Sequence, residues 1–575
     1  MKIFKNFFRL INKIFQVFNL TSKKELFYIF SFSIILIVIE TLGISLIGTV
    51  IASVLDEKML INNNIFIKLF PFSTNFNQGE LLFFTLCLFF IVFMLKVVLN
   101  ILVSFNNFKI FFKLGEKYSN ELLKKYFHIE WAFYTKKNSA EIIRNIISQA
   151  YTIPLDVIAP SFLIFTEVLM VITISLFLFI IEPYAFLGIF IVLILTSISY
   201  QYFTKKRILD IGKSRENNQL VRFTNLIEIT NLMKEIKIYN KSDFFLNKFK
   251  KNNKEISETE ISASMFGIFP RLIFELIFIL SLSILLIIFF NLDTSIETIF
   301  VKIGIFFAAG IRLMPSFSKL TLSLSKIIEK VPLIDNFIKE INNISMEEKN
   351  DENILKHINV NKIEIKNLSF KYNQESNFIF EDLSFEINKS EIFGVFGKSG
   401  IGKSTLLECI CGLIKPNSGQ INVNNKNINN LKEWKNSIGY IPQETQLLNT
   451  SIKNNIAFGI NDAEINENKL KNSIKLAGLS EFIKDLTHGY ETIVGERGSW
   501  LSGGQRQRIS IARAIYYGKT FLVLDEATNS LDRKTSLEIL QNIKQLKENG
   551  FTILIVSHDM EIMNFVDKKL ELKNT

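Results

Sequence analysis

Cysteine is scarce: three in 575 residues, at Cys87, Cys409 and Cys411. So few thiols build no disulfide framework, and a pair of cysteines alone makes no zinc site, so all three are expected to be buried small hydrophobes. Histidine is nearly as rare, with four, so one placed at the end of a strand close to a chemical motif stands out. The first residues lack a small-residue cleavage site after a short apolar core, which argues against a signal peptide. The basic, Phe-rich stretch 1–25 reads instead as a cytoplasmic interfacial segment.

What the chain has in excess is apolar surface. The hydrophobic fraction is 48% and the mean hydropathy +0.26, too apolar for a purely soluble protein. Fifty-six Phe beside abundant Ile, Lys and Asn reflect a compositional bias and carry no functional weight; the placement of the apolar residues does. A helix needs about 20 apolar residues to cross a bilayer, and six runs qualify: 26–55, 81–105, 154–181, 184–203, 268–290 and 299–320. Short acidic turns join the third to the fourth and the fifth to the sixth, whereas long, charged, helix-patterned stretches, 106–153 and 204–267, separate the second from the third and the fourth from the fifth. The net charge of +11 asks for an anionic neighbour. Because Lys2, Lys5, Arg9, Lys13, Lys23, Lys24, Lys205, Lys206 and Arg207 flank the apolar runs, a membrane surface is favoured over nucleic acid. Basic loops stay inside, which predicts cytoplasmic termini in a bacterial inner membrane.

The expected fold is therefore an α-helical six-span membrane domain over 26–322, with cytoplasmic coupling helices. A linker over 323–358, made of the end of a long helix and a solvated stretch, and an α/β P-loop domain over 359–575 follow, where short β-like runs alternate with helical ones. Gly397-Lys398-Ser399-Gly400-Ile401-Gly402-Lys403-Ser404-Thr405 is a complete phosphate-binding loop, preceded by an apolar strand and followed by a helix. Its backbone N–H groups and helix N-terminus suit phosphate oxygens. Lys403 is expected at the β- and γ-phosphates of ATP and Ser404 on Mg²⁺. The run 521–526 is a buried strand ending in two carboxylates: Asp525 to hold Mg²⁺, and Glu526 as the base or water-orienting group for attack on the γ-phosphate.

Leu501-Ser502-Gly503-Gly504-Gln505 matches the signature sequence of ABC transporters, and the chain resembles an ABC exporter half-transporter. The resemblance implies that the signature serves ATP held by a second, identical subunit, so that two sites form in a homodimer. It also implies that Tyr372 stacks on adenine and that Gln443 links Mg²⁺ to the membrane domain. Asp532, in Ser530-Leu-Asp532, resembles the inter-subunit loop, and His558 the γ-phosphate switch. Gly495-Glu-Arg-Gly498 resembles the segment by which exporters touch their coupling helices. Phe133-Tyr134, Ser139-Ala-Glu141 and Lys234-Glu-Ile-Lys237 resemble stretches flanking the coupling regions.

For the cargo, Thr41–Ser45, Arg271–Glu275 and Gly310–Ser316 resemble the bacterial lipid-linked oligosaccharide flippase of N-glycosylation. Arg271 and Arg312 are candidate ligands of a polyprenyl pyrophosphate, against the plainer reading that they snorkel to headgroups. Glu40 lies about 21 Å along the first run, too deep to snorkel, and should face a cavity or pair with Lys96. Lipid, multidrug and peptide exporters are alternatives, and an ATP-gated channel or regulator is one of another class. The intact Glu526, His558 and signature argue against the last.

Overall fold

The computed structural model describes residues 78–135, 137–181, 183–291, 296–343, 357–372, 377–430, 433–527 and 532–573, with scattered positions between 31 and 76. Segment 1–25, Glu40, Ser530 and most of the first expected span lie outside the described residues. The chain divides into two compact units, one of residues 1–127 and 137–345, the other of 128–136 and 346–575.

Among the described residues of the first unit, four helices are long and apolar enough to cross a membrane: Gly79–Phe127, Ser139–Ile180, Pro183–Asn231 and Ser242–Phe290. The sixth expected run falls within a fifth long helix, Ile296–Glu329. The charged, helix-patterned stretches between the runs are mostly helical, and they continue the apolar helices: α1 (Gln78–Phe127), α4 (Pro183–Asn231) and α5 (Ser242–Asn291) each run about 50 residues without a break. Those extensions are rich in good helix formers and nearly free of Gly and Pro, so nothing ends the helix where the apolar run ends. A short helix, α2 (Trp131–Tyr134), follows α1. Before α3 (Ala159–Ile181) the helical run loosens into π turns at Asn145–Gln149 and at Pro154–Ile158, the second beginning at a residue with no N–H to give.

The apolar core of this unit gathers Ile174, Leu178, Leu193, Phe274, Phe306, Leu313 and Phe317 from α3, α4, α5 and α6 (Ile296–Glu329). Stretch 323–343 begins with the end of a long helix, Ile296–Glu329, as expected, but a second helix, Val331–Asn343, stands where a solvated linker was expected. It is helical to Asn343, and Ile334 and Phe337 are buried. Leu333, Ile334, Phe337, Ile338 and Ile341 recur at helical spacing beneath the charges, giving an apolar face that packs.

The second unit is α/β. An antiparallel sheet runs β2–β1–β4–β5, from β1 (Lys362–Phe370), β2 (Phe380–Asn388), β4 (Ser418–Val423) and β5 (Lys426–Asn427). A parallel sheet runs β6–β7–β8–β3–β9, from β3 (Ile392–Phe396), β6 (Ile438–Ile441), β7 (Phe521–Asp525), β8 (Thr552–Ser557) and β9 (Lys568–Glu571). Strands β7 and β8 are buried along their whole length, as apolar runs covered on both faces should be. Because β7, β8 and β3 are parallel neighbours, their C-terminal ends open at one edge of the sheet. In such sheets that edge is where ligands bind.

Candidate nucleotide site

Three loops emerge at that edge, and each carries a motif read from sequence. From β3 comes the loop Gly397–Gly402, leading into α7 (Lys403–Ile410). Gly402 caps α7 with φ +102°, a conformation that a side chain disfavours, and a Cβ there would also lie 2.1 Å from Ile379 Cγ2. Lys398, Ser399, Gly400 and Ile401 form the turn, where Ile401 N–H donates to Lys398 O at 3.4 Å. The loop therefore wraps and delivers Lys403 to the interior, where only 4% of the residue is exposed.

These three loops meet on Glu526, joined by Gln443 from the loop after β6. Lys403 Nζ lies 3.2 Å from Glu526 Oε1, and also donates to the carbonyls of Gly397 at 2.9 Å and Lys398 at 3.1 Å. On the second carboxylate oxygen, Gln443 Nε2 donates at 3.4 Å and His558 Nδ1 stands at 3.6 Å. The backbone of Glu526 has φ +47°, an uncommon left-handed conformation for a residue with a Cβ, held by its N–H donating to Val556 O of β8 at 2.9 Å. Strain of this kind is characteristic of residues fixed for a task.

Beside it, Asp525 accepts from Ser404 Oγ at 3.5 Å and from Tyr440 Oη at 3.0 Å. Burial pushes the Asp525 carboxyl above the usual carboxylate range, opposed by the Tyr440 hydrogen bond; burial also raises the Tyr440 phenol. Tyr440 was not singled out from sequence, although it stands on β6, the strand paired with β7. The hydroxyl of Ser404, the carboxylate of Asp525 and the amide oxygen of Gln443 are hard oxygen donors, a set that suits Mg²⁺ completed by phosphate oxygens and water. Thr405 shares a hydrogen bond with Tyr372 Oη at 3.1 Å, while the Tyr372 ring packs edge-on against Phe370 and remains half-exposed.

The signature opens α8 (Gly503–Tyr516) as a capping box. Ser502 Oγ accepts from Gln505 N–H, and Ser502 N–H donates to Gln505 Oε1 at 2.9 Å. Ser502 is exposed, Gly503 and Gly504 form the first turn, and a Cβ on Gly504 would meet Thr535 Cγ2 at 2.3 Å. The contacts described above on the Glu526 carboxylate come from Lys403, Gln443 and His558. Asp532 caps the next helix, accepting from Thr535 N–H at 3.0 Å. Cys409 and Cys411 are buried as expected, their thiols pushed up to about 12 chiefly by burial, whereas Cys87, on the apolar stretch of α1, is exposed, against the expectation of a buried small hydrophobe.

A contact missed from sequence ties α2 to the phosphate-loop helix. Trp131 Nε1 donates to Glu408 Oε1 at 2.9 Å, and Ala132 packs on the core that includes Leu406 and Leu407.

The two candidate cargo arginines do not meet at one carboxylate. Arg271 is largely exposed, and its Nε pairs with Glu275 Oε1 of its own helix at 2.9 Å. Arg312 is partly buried and faces Glu167 Oε2 at 3.8 Å. Lys319, also missed from sequence, lies 2.9 Å from Glu167 Oε1. The signal available was Glu167 itself, the one charge in the 23 residues of α3. Lys96 sits over the Phe93 ring at 5.1 Å.

The chain matches the ABC transporter transmembrane region over residues 26–308 and the ABC transporter family over 380–529. The chain is an ABC half-transporter. Its second unit is an ABC transporter ATPase domain, and the whole half-transporter has an exporter fold. A bacterial Atm1-family ABC exporter with ATP bound superposes with a TM-score of 0.77 at 18% identity, over 96% of this chain and 94% of that one. Among curated relatives, the alpha-hemolysin translocation ATP-binding protein HlyB of Escherichia coli O157:H7 is 35% identical over 237 residues, 41% of this chain and 33% of that protein. The Toxin RTX-I translocation ATP-binding protein of Actinobacillus pleuropneumoniae is 38% identical over 208 residues, 36% of this chain and 29% of that protein. ABC transporter B family member 14 of Arabidopsis thaliana is 37% identical over 256 residues, 44% of this chain and 20% of that protein. The matched stretches thus span a third or less of these relatives' own lengths.

Proposed function

We propose that this half-transporter is an ATP-driven exporter working as a homodimer, with both termini in the cytoplasm of a bacterial inner membrane. The observation that carries the reading is the convergence of Lys403, Gln443 and His558 on Glu526. Lys403 and the backbone of 397–402 hold the β- and γ-phosphates. Ser404, Asp525 and Gln443 hold Mg²⁺, which when bound neutralises charge on the phosphates. Glu526 orients the attacking water and takes its proton, and His558 donates to the γ-phosphate. Tyr372 offers its ring to adenine. The exposed Ser502 hydroxyl and the helix N-terminus opened by Gly503, Gly504 and Gln505 are offered to the nucleotide of the second chain, so closure of two chains completes each site. The reorientation that expels cargo follows this closure. Replacing His558 by alanine is expected to lower turnover about 100-fold while ATP is retained, because its contact strengthens in the transition state. Equal loss of ATP affinity and turnover, measured by nucleotide binding and phosphate release, would make the histidine structural.

The cargo we propose is an anionic amphiphile, specifically a lipid-linked oligosaccharide recognised at its pyrophosphate by Arg271 and Arg312. A second reading, export of a peptide or protein, is favoured by the relatives named for toxin translocation. Reconstitution in liposomes, with ATPase stimulation compared across lipid-linked sugars, lipids and peptides, separates the two. Under the first reading, Arg271→Ala or Arg312→Ala raises the half-stimulating concentration of a pyrophosphate-linked lipid by about 10- to 150-fold, the worth of a charged hydrogen bond, and lysine recovers part of it. If the arginines only snorkel, lysine is neutral and alanine lowers expression without changing that concentration.

A further inference from the structure

Asp525 ends β7 with 9% of the residue exposed, and a carboxylate so placed needs donors around it. Among the described residues its hydrogen bonds come from two neutral hydroxyls and from no cation. Tyr440 Oη donates to Oδ2 at 3.0 Å, and Ser404 Oγ donates to Oδ1 at 3.5 Å. Lys403 directs its ammonium to Glu526 Oε1 and to the carbonyls of Gly397 and Lys398 instead. A cation paired with Asp525 would neutralise the charge that a metal needs. A hydroxyl holds the carboxylate and leaves that charge in place.

The two hydrogen bonds are unequal. At 3.5 Å the Ser404 contact lies beyond the usual range for two oxygens, whereas the Tyr440 contact lies within it. The carboxylate torsion of an aspartate is broad and roughly two-fold, so the stronger donor decides which oxygen faces which way. Tyr440 holds Oδ2, and Oδ1 is thereby turned to Ser404. Strand register explains why a tyrosine can do this. Tyr440 pairs with Val523 in the parallel ladder of β6 and β7, two residues short of Asp525. That step is about 6.6 Å along a strand, a distance that a phenol hydroxyl reaches from its own backbone. Gly439 and Ile441 on either side are buried and pin the strand, while the Tyr440 ring is half-exposed. Gln443, three residues on, reaches the neighbouring carboxylate of Glu526 by its own contact.

We propose that Tyr440 is a positioning residue for the metal: it fixes the Asp525 carboxylate so that Oδ1, beside Ser404, is presented to Mg²⁺. The inference rests on the reading above that Asp525 and Ser404 hold that ion. Ligating carboxylates are themselves held by hydrogen bonds, and losing such a partner typically lowers metal affinity about 10- to 100-fold. In this role Tyr440 acts on the nucleotide only through the ion.

Tyr440→Phe keeps the ring and removes the hydroxyl alone. Mn²⁺, which takes the same oxygen donors as Mg²⁺, is the probe, followed by electron paramagnetic resonance. It is titrated into the full-length, detergent-solubilised protein with a non-hydrolysable ATP analogue bound. In Tyr440→Phe the Mn²⁺ dissociation constant is expected to rise about 10- to 100-fold, while affinity for the analogue in excess chelator stays at the wild-type value. ATP turnover should show the same split: the half-activating Mg²⁺ concentration rises, and saturating Mg²⁺ restores most of the rate. A wild-type Mn²⁺ affinity in Tyr440→Phe overturns the inference. An equal loss of metal-free nucleotide affinity also overturns it, because the tyrosine would then be a scaffold for the whole site. Asp525→Asn separates this inference from the reading beneath it. If Asp525→Asn binds Mn²⁺ as tightly as wild type, the Mg²⁺ assignment itself fails. If Asp525→Asn loses the ion and Tyr440→Phe keeps it, only the positioning role fails.

Discussion

Glu526→Gln is expected to lower ATP turnover by about 10²- to 10⁴-fold, the usual contribution of a positioned acid–base group, while nucleotide binding persists. Glutamine keeps the shape of the side chain and removes the charge that orients and deprotonates water. ATP affinity should hold or rise, because Lys403 now faces the Glu526 carboxylate at 3.2 Å, and without that charge its ammonium is freed for phosphate. The backbone at φ +47° is anchored through the main chain to Val556 and so should not relax. Glu526→Asp separates charge from reach: it keeps the carboxylate but retracts it by one methylene, and it should retain more turnover than glutamine does. Measured by phosphate release beside equilibrium ATP binding, near-normal turnover in Glu526→Gln would remove this residue from the base role. Equal loss of binding and turnover would show it to be a scaffold for the loop.

This site was legible in the sequence because its parts are contiguous. A phosphate loop, a strand ending in two carboxylates and a histidine after a strand each announce themselves within a few residues, and parallel pairing of β3, β8 and β7 then brings them to one edge. Contacts made across the chain were not legible. Trp131 and Glu408 are 277 positions apart, Glu167 and Lys319 152 apart, and no local pattern links either pair. Tyr440 belongs to no motif, and a lone tyrosine on a short strand is usually packing. Its role appears only once β6 is set beside β7 and its hydroxyl reaches Asp525. In the first unit the apolar runs and the helix-patterned charged stretches were legible as separate segments, and among the described residues the structure joins them into single helices. Hydropathy marks where a helix is apolar, whereas backbone hydrogen bonding continues through charged residues until something breaks it. The same charge hid the apolar face of Val331–Asn343.

One packing constraint in that unit gives a second large effect. Gly212 on α4 is expected to reject any side chain, so that Gly212→Val abolishes folded protein and Gly212→Ala destabilises it. A Cβ at this position would lie 1.9 Å from the carbonyl oxygen of Glu329 at the end of α6. Backbone cannot rotate away as a side chain can, so the two helices must separate. Two effects of opposite sign compete for the alanine variant. Helix propensity favours alanine over glycine by about 0.5–1 kcal/mol, whereas overpacking a close contact costs about 1–3 kcal/mol. The second wins here because Glu329 is itself engaged: its carboxylate pairs with Arg215 and, at 3.4 Å, with Lys330. Moving it disturbs those contacts as well. Gly188, on the same helix, provides the matched control. Nothing lies within 4 Å of its Cβ position, so Gly188→Ala shows the propensity gain alone and should be neutral or slightly stabilising. Thermal unfolding of the detergent-solubilised protein should therefore move in opposite directions for the two alanine variants. If Gly212→Ala unfolds at or above the wild-type temperature, the close approach of α4 to Glu329 does not hold the unit together.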